Sequence, residues 1–408
     1  MTLPLSNERL LLGVSGGIAA YKAADLVRRL REAGAEVRVV MTEGACQFVS
    51  PLTFQALSGQ PVRTSLWDQA AEAAMGHIEL ARWATRVLVA PASADVIGRL
   101  AHGLAGDLLG TLCLATGAPL AVAPAMNRQM WAHPALQANL ALLRSRGALV
   151  LGPASGEQAC GEVGEGRMLE PQALVAQLAA LGALAREDAG RLAGRRVLIT
   201  AGPTFEDLDP VRFLGNRSSG KMGFAVAAAA AAMGAEVTLV AGPVSQPTPA
   251  GVRRVDVRRA AEMHAAVFEA LPGQDIFIAA AAVADYAPVV TETDKIKKSA
   301  GTLSLELVRT RDILAEVAAS RPRPFVVGFA AETTDMEGYA RGKLERKGLD
   351  MIAGNRVGLP GSGFEADENA FTVLWPGGRE ELASAPKAEL ARQLLRLVCT
   401  RMAAGAAA

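Results

Sequence analysis

Residues 9–40 read RLLLGVSGGIAAYKAADLVRRLREAGAEVRVV: an apolar run, a glycine-rich turn, an alanine-rich amphipathic stretch, then GAEV entering a second apolar run. This order is that of a strand, a tight turn and a helix returning to a parallel strand. The design recurs at Arg195, where RRVLITAGPT is followed by a long loop and by SSGKMGFAVAAAAAAMGAEVTLVAGP at 218–243. Each copy opens a doubly wound α/β sheet. Each also sets a strand's carboxyl end beside a helix N-terminus, where backbone N–H groups favour a phosphate or other anion. Two openings imply two ligand sites. A chain of 408 residues exceeds one ordinary core. Pro171 to Arg186 reads as a closing helix and Glu187 to Gly194 as a charged connector, so the expected domains are 1–189 and 190–408, both mostly parallel α/β.

Half the residues are hydrophobic and a fifth charged, which suits alanine- and valine-rich helices on parallel strands. The 42 basic and 41 acidic side chains nearly cancel, which argues against a nucleic-acid footprint or a membrane-seeking basic face and leaves small molecules as partners. Cys46, Cys113, Cys160 and Cys399 form no CxxC pair, so neither a zinc site nor a disulfide framework is expected. The N-terminus lacks a basic segment followed by a long apolar one, and the tract Ala225 to Ala232 is too short to span a membrane. The expected location is the cytoplasm.

Further strands are expected at Arg86–Ala90 and Leu120–Ala123 in the first half, and at Ile276–Ala280, Phe325–Phe329 and Met351–Ala353 in the second. Functional side chains gather beyond such strand ends, so the loops that follow are read together. The turn Gly13-Val14-Ser15-Gly16-Gly17-Ile18 is not a dinucleotide fingerprint, because Ser15 holds the place of the second glycine. A mononucleotide phosphate site and a plain tight turn are equally open readings of it. PASAD offers Ser93 and Asp95, and PAMN offers Met126 and Asn127, the last of which taken alone is an ordinary helix cap. His77 stands in GHIELA at a helix start, and Cys160 in the polar, glycine-dense loop SGEQACGEVGEGRM.

GVSGGIAAYK, GHIELA, PASAD, PAMN and ACGEVGEGRM, in that order, resemble the phosphopantothenoylcysteine decarboxylase family of FMN-dependent flavoproteins, over residues 8 to 180. The resemblance implies a flavodoxin-like domain with FMN bound by Ser15, Gly16, Gly17, Ser93 and Met126. It implies oxidation of the substrate's cysteinyl thiol to a thioaldehyde, whose thiocarbonyl accepts the electron pair released with CO2, and then re-reduction. His77 would carry the proton of the oxidative step, Asn127 would orient the substrate carboxylate, and Cys160, on a loop acting as a lid, would return a proton during reduction.

In the second half, Gly215 to Met222, GNRSSGKM, nearly matches a P-loop, but Met222 cannot ligate magnesium and a long loop separates it from its strand. DKIKK, with Lys295, Lys297 and Lys298, follows an apolar strand that runs into Asp285, and Lys343 and Lys347 share one helical face. TAGPTFEDLDPVRF, NRSSGKMG, AAVADY, DKIKK, RDIL and GFAAET together resemble phosphopantothenate–cysteine ligase over residues 195 to 400, a Rossmann-like domain. The order of the halves resembles that of bifunctional bacterial enzymes. The ligase resemblance implies that CTP, with Mg2+, activates the carboxylate of 4′-phosphopantothenate as an acyl cytidylate, and that the cysteine amine then displaces CMP. Lys295 would stabilise charge during nucleotidyl transfer, and Asn216 would bind the phosphopantothenate or the acyl intermediate and assist the second step. Ala279, Ala280 and Ala281 would line the base pocket; Asp285, Phe329, Lys343 and Lys347 would contact the nucleotide. Arg311, Asp312, Ile313 and Leu314, the RDIL segment, belong to the same implied site. The sequence departs from the family pattern at Ala287, Arg311 and Arg356, which bears on the choice of CTP over ATP.

The rival readings are a flavoprotein of the same fold acting on another substrate, a nicotinamide-dependent oxidoreductase, and a non-catalytic flavin-binding subunit. The complete second half opposes the first, the missing GxGxxG the second, and the intact His77, Asn127 and Cys160 the third. The resemblance also implies a homo-oligomer, with trimers of the decarboxylase and dimers of the ligase building a dodecamer and flavin held between subunits.

Overall fold

The computed structural model describes residues 3–67, 76–159, 161–297, 301–332, 334–356 and 368–406. Cys160 and Lys298 lie outside the described residues. Contacts divide the chain into two units, Met1–Arg186 and Glu187–Ala408.

In the first unit five parallel strands, β1 (Arg9–Val14), β2 (Glu36–Met41), β3 (Arg86–Ala92), β4 (Leu120–Pro124) and β5 (Leu149–Val150), stand in the order β2-β1-β3-β4-β5. This is the flavodoxin order, with its reversal of direction between β1 and β3. Successive side chains of a strand point to opposite faces. Leu10, Leu12 and Val14 accordingly enter one core with Ala23, Leu26 and Leu30 of the helix Ala20–Glu32. Leu11 enters the other with Val96, Ile97 and Leu140 from the helices Ala94–His102 and Pro134–Ser145. Leu11 is wholly buried, so Leu11→Ala would cost about 2–5 kcal/mol. A short antiparallel hairpin, β6 (Ala154–Glu157) and β7 (Val163–Arg167), follows β5.

The second unit is built on β8 (Arg196–Ala201), with the hairpin β9 (Phe205–Asp207) and β10 (Phe213–Gly215) after it. Next come β11 (Glu236–Ala241), β12 (Val252–Asp256), β13 (Ile276–Ala279) and the pair β14 (Tyr286–Pro288) and β15 (Leu307–Arg309). β16 (Phe325–Glu332), β17 (Met351–Arg356), β18 (Glu368–Trp375) and β19 (Gly378–Pro386) complete it. The main sheet runs β12-β11-β8-β13-β16-β17-β18-β19, parallel through β17 and antiparallel at β18 and β19. Its six parallel strands have the Rossmann order, reversing between β8 and β13. The alanine tract forms the helix Lys221–Ala232. A Cβ at Gly223 would lie 2.5 Å from that of Ala201, so glycine there lets the helix approach β8.

Both units are thus doubly wound and mostly parallel, as the sequence predicts. The antiparallel edge and the three small two-stranded pairs are additions, and the closing helix runs from Pro171 to Asp188, two residues past the expected end. No helix among the described residues is long and apolar enough to cross a membrane.

Candidate active sites

At the β1/β3 reversal the backbone must turn from strand to helix in a small space. A Cβ at Gly16 would fall 2.8 Å from the backbone carbon of Gly44, whereas Gly17 has nothing within 4 Å of that position. Glycine is therefore enforced at one and leaves the backbone open at the other. Ser15 plays a different part from the expected one. It is fully buried; its Oγ donates to the Pro91 carbonyl at 2.8 Å and accepts from the Ser93 N–H at 2.9 Å. Its hydroxyl is spent in tying the loop after β1 to the loop after β3, and the cavity wall begins at Gly16.

That cavity has a volume of about 660 Å3. Gly16, Gly17, Ser93, Met126 and Asn127 line it, so five of the first-half residues named from the sequence converge. The helix Ala20–Glu32 begins beside it without a side-chain cap; the Ala20 and Lys22 N–H groups close tight turns onto the Gly17 and Ala19 carbonyls, each at 3.0 Å, and the positive end of the helix dipole faces the cavity mouth where an anion is favoured. Ile18, Met130 and Met168 add apolar wall. Size, thioethers and an uncapped helix end fit a flavin mononucleotide.

Two basic side chains that sequence reading missed also line it. Lys22, 8% exposed, donates to Glu170 Oε1 at 2.6 Å, and Arg167 reaches the same carboxylate at 3.4 Å. The β6–β7 pair is bonded to the Asn127 loop: Met126 N–H donates to the carbonyl of Gly166 in β7 at 2.8 Å, and Arg128 N–H to Oε1 of Gln158, just after β6, at 3.0 Å. Asn127 caps the helix Arg128–Ala132 through the Gln129 N–H at 2.7 Å, while its Nδ2 donates to Glu162 Oε2 at 2.6 Å. Its cap and cavity roles coexist. His77 is half-buried on the first turn of the helix Gly76–Trp83 and lies outside this cavity's lining. That helix buries Leu80 and Ala81 with Leu112, which fixes where His77 stands. Burial pushes the Cys113 thiol up to about 12 and also raises Cys46 and Cys399, so these three are weak nucleophiles.

In the second unit two cavities, of about 160 and 430 Å3, meet beyond β13 and β16. Ala281, Val283, Asp285, Phe329 and Lys343 line both. Buried threonines shape this wall: Thr200 Oγ1 accepts from the Ala281 N–H at 3.3 Å and Thr204 Oγ1 from that of Ala284 at 2.9 Å. The smaller cavity takes in Ala279, Lys347 and the segment Arg311 to Leu314; Ala280 lines the larger. Lys347 Nζ is 2.6 Å from Asp312 Oδ2, and Lys343 Nζ donates to the Phe329 carbonyl at 2.9 Å. Burial works against the Asp312 charge, but Lys347 and the Ala315 amide outweigh it and hold its carboxyl below the usual range. Burial, with Lys347 beside it, lowers the Lys343 ammonium despite Glu332, Asp312 and Asp285. Arg311 is held by Glu316, its Nε and Nη2 donating at 3.0 and 2.6 Å, and His264 Nε2 lies 3.0 Å from the same carboxylate.

The larger cavity holds Asn216, whose Nδ2 donates to the Val283 carbonyl at 2.9 Å, and the start of the helix Lys221–Ala232. It also holds Lys387, 7% exposed, at the first position of the helix Lys387–Ala406. Sequence reading missed Lys387 because it lies far along the chain from every motif. Lys295 departs from expectation: it is exposed and lines neither cavity. Its loop is bonded instead through Ile296 to Asp209 and Arg212. Among the described residues no group of three or more His, Cys, Asp or Glu side chains could hold a metal ion.

A flavodoxin-order sheet with a mononucleotide-sized cavity, followed by a Rossmann-order sheet with a lysine-lined double cavity, defines a two-part flavoprotein. Residues 2–182 match the Flavoprotein family, and residues 192–402 match the DNA/pantothenate metabolism flavoprotein C-terminal domain. Over 98% of this chain and 99% of the relative, the sequence is 57% identical to the coenzyme A biosynthesis bifunctional protein CoaBC of Vibrio cholerae. It is 54% identical to that of Escherichia coli strain K12 over 98% of both chains. A solved C-terminal domain of a coenzyme A biosynthesis bifunctional protein CoaBC is 39% identical, with 52% of this chain and 98% of that one covered, at a TM-score of 0.45. The chain belongs to the family of coenzyme A biosynthesis bifunctional proteins.

Proposed function

We propose that this chain carries out two consecutive steps of coenzyme A biosynthesis in the cytoplasm. The second unit joins cysteine to 4′-phosphopantothenate at the expense of CTP, and the first decarboxylates the resulting phosphopantothenoylcysteine to 4′-phosphopantetheine. The observation that carries this reading is the end-to-end identity with two-step relatives, over a chain with a candidate cavity at the switch point of each sheet.

In the first unit the open backbone at Gly17 and the uncapped helix end would hold the FMN phosphate, and Ile18, Met126 and Met130 the ring. When bound, FMN supplies a two-electron acceptor and then donor for the substrate's thiol carbon. Asn127 orients the substrate carboxylate, with Glu162 exchanging out of its place on Nδ2. His77 takes the proton of the oxidative step, and Cys160 returns one in the reductive step. Trimers of this unit, gathered with dimers of the ligase into a dodecamer, would bring His77 of one subunit to the cavity of another.

In the second unit Lys343 and Lys347 offset the triphosphate charge, and Ala279 to Ala281 make room for the base. Mg2+ would arrive on the phosphates, needing only one or two protein carboxylates, and Asp285 lines both cavities. Asn216 holds the pantothenate carboxyl end as its oxygen attacks the α-phosphorus and pyrophosphate leaves. Lys295 stabilises the negative charge on the oxygens around that phosphorus. The cysteine amine then attacks the acyl carbon, CMP departs, and an amide remains.

The test supplies purified protein with 4′-phosphopantothenate, cysteine, CTP and magnesium. Stoichiometric pyrophosphate, CMP, CO2 and 4′-phosphopantetheine are expected; absence of pyrophosphate with both CTP and ATP defeats the ligase half. Accumulation of phosphopantothenoylcysteine without CO2 defeats the decarboxylase half.

A further inference from the structure

Asp209 is a buried carboxylate outside both second-unit cavities, with its side chain wholly inaccessible. All of its hydrogen-bonding capacity is committed. Oδ1 accepts from the N–H groups of Val211 and Arg212, each at 2.7 Å, which closes the turn between β9 and β10. Oδ2 accepts from Arg212 Nη1 and from the Ile296 N–H, each at 3.1 Å. The same Arg212 Nη1 donates to the Ile296 carbonyl at 3.2 Å. Asp209 and Arg212 therefore grip both backbone polar groups of one residue 87 positions along the chain. Two further bonds run beside them: the Glu292 N–H to the Leu208 carbonyl at 3.0 Å, and Thr291 Oγ1 to that of Asp207, also at 3.0 Å.

The placement matters because of what adjoins each end. β10 ends at Gly215, so the hairpin that Asp209 closes leads directly into Asn216. Ile296 directly follows Lys295. A single carboxylate thus fixes where the two loops carrying Asn216 and Lys295 leave the body of the unit. Of the loop's ties to the hairpin, the one at Ile296 adjoins the exposed lysine itself; without it Lys295 would spread over more positions, and ordering it at the moment of reaction costs conformational entropy.

We propose that Asp209 is a positioning residue of the ligase reaction, acting by clamping the backbone at Ile296 so that Lys295 is held for nucleotidyl transfer. The proposal rests on the ligase reading of Lys295. Asp209→Asn keeps the shape but turns an amide N–H2 toward donors, releasing part of the grip. Ile296→Pro deletes the clamped N–H and leaves the hairpin turn intact, while also replacing the side chain and restricting the backbone at Lys295, so it serves as the second variant if the buried substitution impairs folding.

The test uses the full chain and measures pyrophosphate release dependent on 4′-phosphopantothenate and CTP, and separately CO2 release from supplied phosphopantothenoylcysteine. In both variants kcat for pyrophosphate release is expected to fall on the order of 10- to 100-fold, with KM for CTP within about twofold and CO2 release unchanged. Adding either substitution to Lys295→Gln is expected to lower the rate no further, since both act through that lysine. Full rate in Asp209→Asn and Ile296→Pro, beside a crippled Lys295→Gln, overturns the clamp alone. Losses that multiply with that of Lys295→Gln overturn it as well. Full rate in Lys295→Gln removes the ligase reading beneath it, and the proposal with it.

Discussion

The two units solve the same topological problem with opposite materials. In each, the ligand space opens where the sheet reverses direction, but the first unit walls it with isoleucine and thioethers and keeps Lys22 and Arg167 engaged with one carboxylate. The second walls its space with alanines and brings Lys343, Lys347 and Lys387 to it. A broad apolar ring needs contact area, which polarizable side chains supply. A polyphosphate needs countercharge and a close approach of backbone, which small side chains and lysines supply. The fold therefore sets where a ligand lies, and the side chains after each strand set what kind it is.

The sharpest way to break this division is Lys295→Gln, expected to lower ligation about 10²–10³-fold. Decarboxylation of supplied phosphopantothenoylcysteine should persist; loss of both would show that the lysine supports structure common to the whole chain. Next in size is Asn127→Ala, with CO2 release falling roughly 100-fold and ligation intact. Loss of the helix cap alone would cost about 1 kcal/mol of stability and leave kcat unmoved, so thermal unfolding and turnover measured together separate the two roles of this residue. Gly16→Ala pushes a methyl group against the Gly44 backbone. Flavin affinity should drop roughly tenfold, read by fluorescence titration, while CTP-dependent pyrophosphate release stays at the native rate.

The smallest effect is one of pH. The Lys343 ammonium is lowered from 10.5 chiefly by burial, so it gives up its proton before an ordinary lysine does as pH rises. Its attraction for an anionic nucleotide fades as pH rises, and does so earlier than that of an ordinary lysine. KM for CTP should climb severalfold as it fades, and Lys343→Arg, which keeps its charge, should flatten the climb.

The parallel strands and their order-defining turns were legible because each is a local pattern: an apolar run, glycines, a periodic helix. The antiparallel β18 and β19 were not, since their sequence, with glutamates and a tryptophan, alternates weakly and belongs to a sheet edge. Most first-cavity residues were found from loops that follow strands, whereas Lys22 reads as one more helical lysine until Glu170, 148 residues away, meets it. Ser15 shows the converse: the motif was seen, but only the fold reveals that its hydroxyl binds Pro91 and Ser93. Lys295 stands out in the sequence as part of DKIKK after an apolar strand, but the anchoring of its neighbour Ile296 to Asp209 has no local signal at all.

The wall shared by the two second-unit cavities carries a thermodynamic obligation. Ala281 and Lys343 touch both spaces, so an occupant of one acts on the free energy of filling the other. Binding free energies are state functions. Whatever factor an occupant of one cavity applies to the affinity of the other, that other returns in full, so a substitution at Ala281 that alters the coupling alters it equally from both sides.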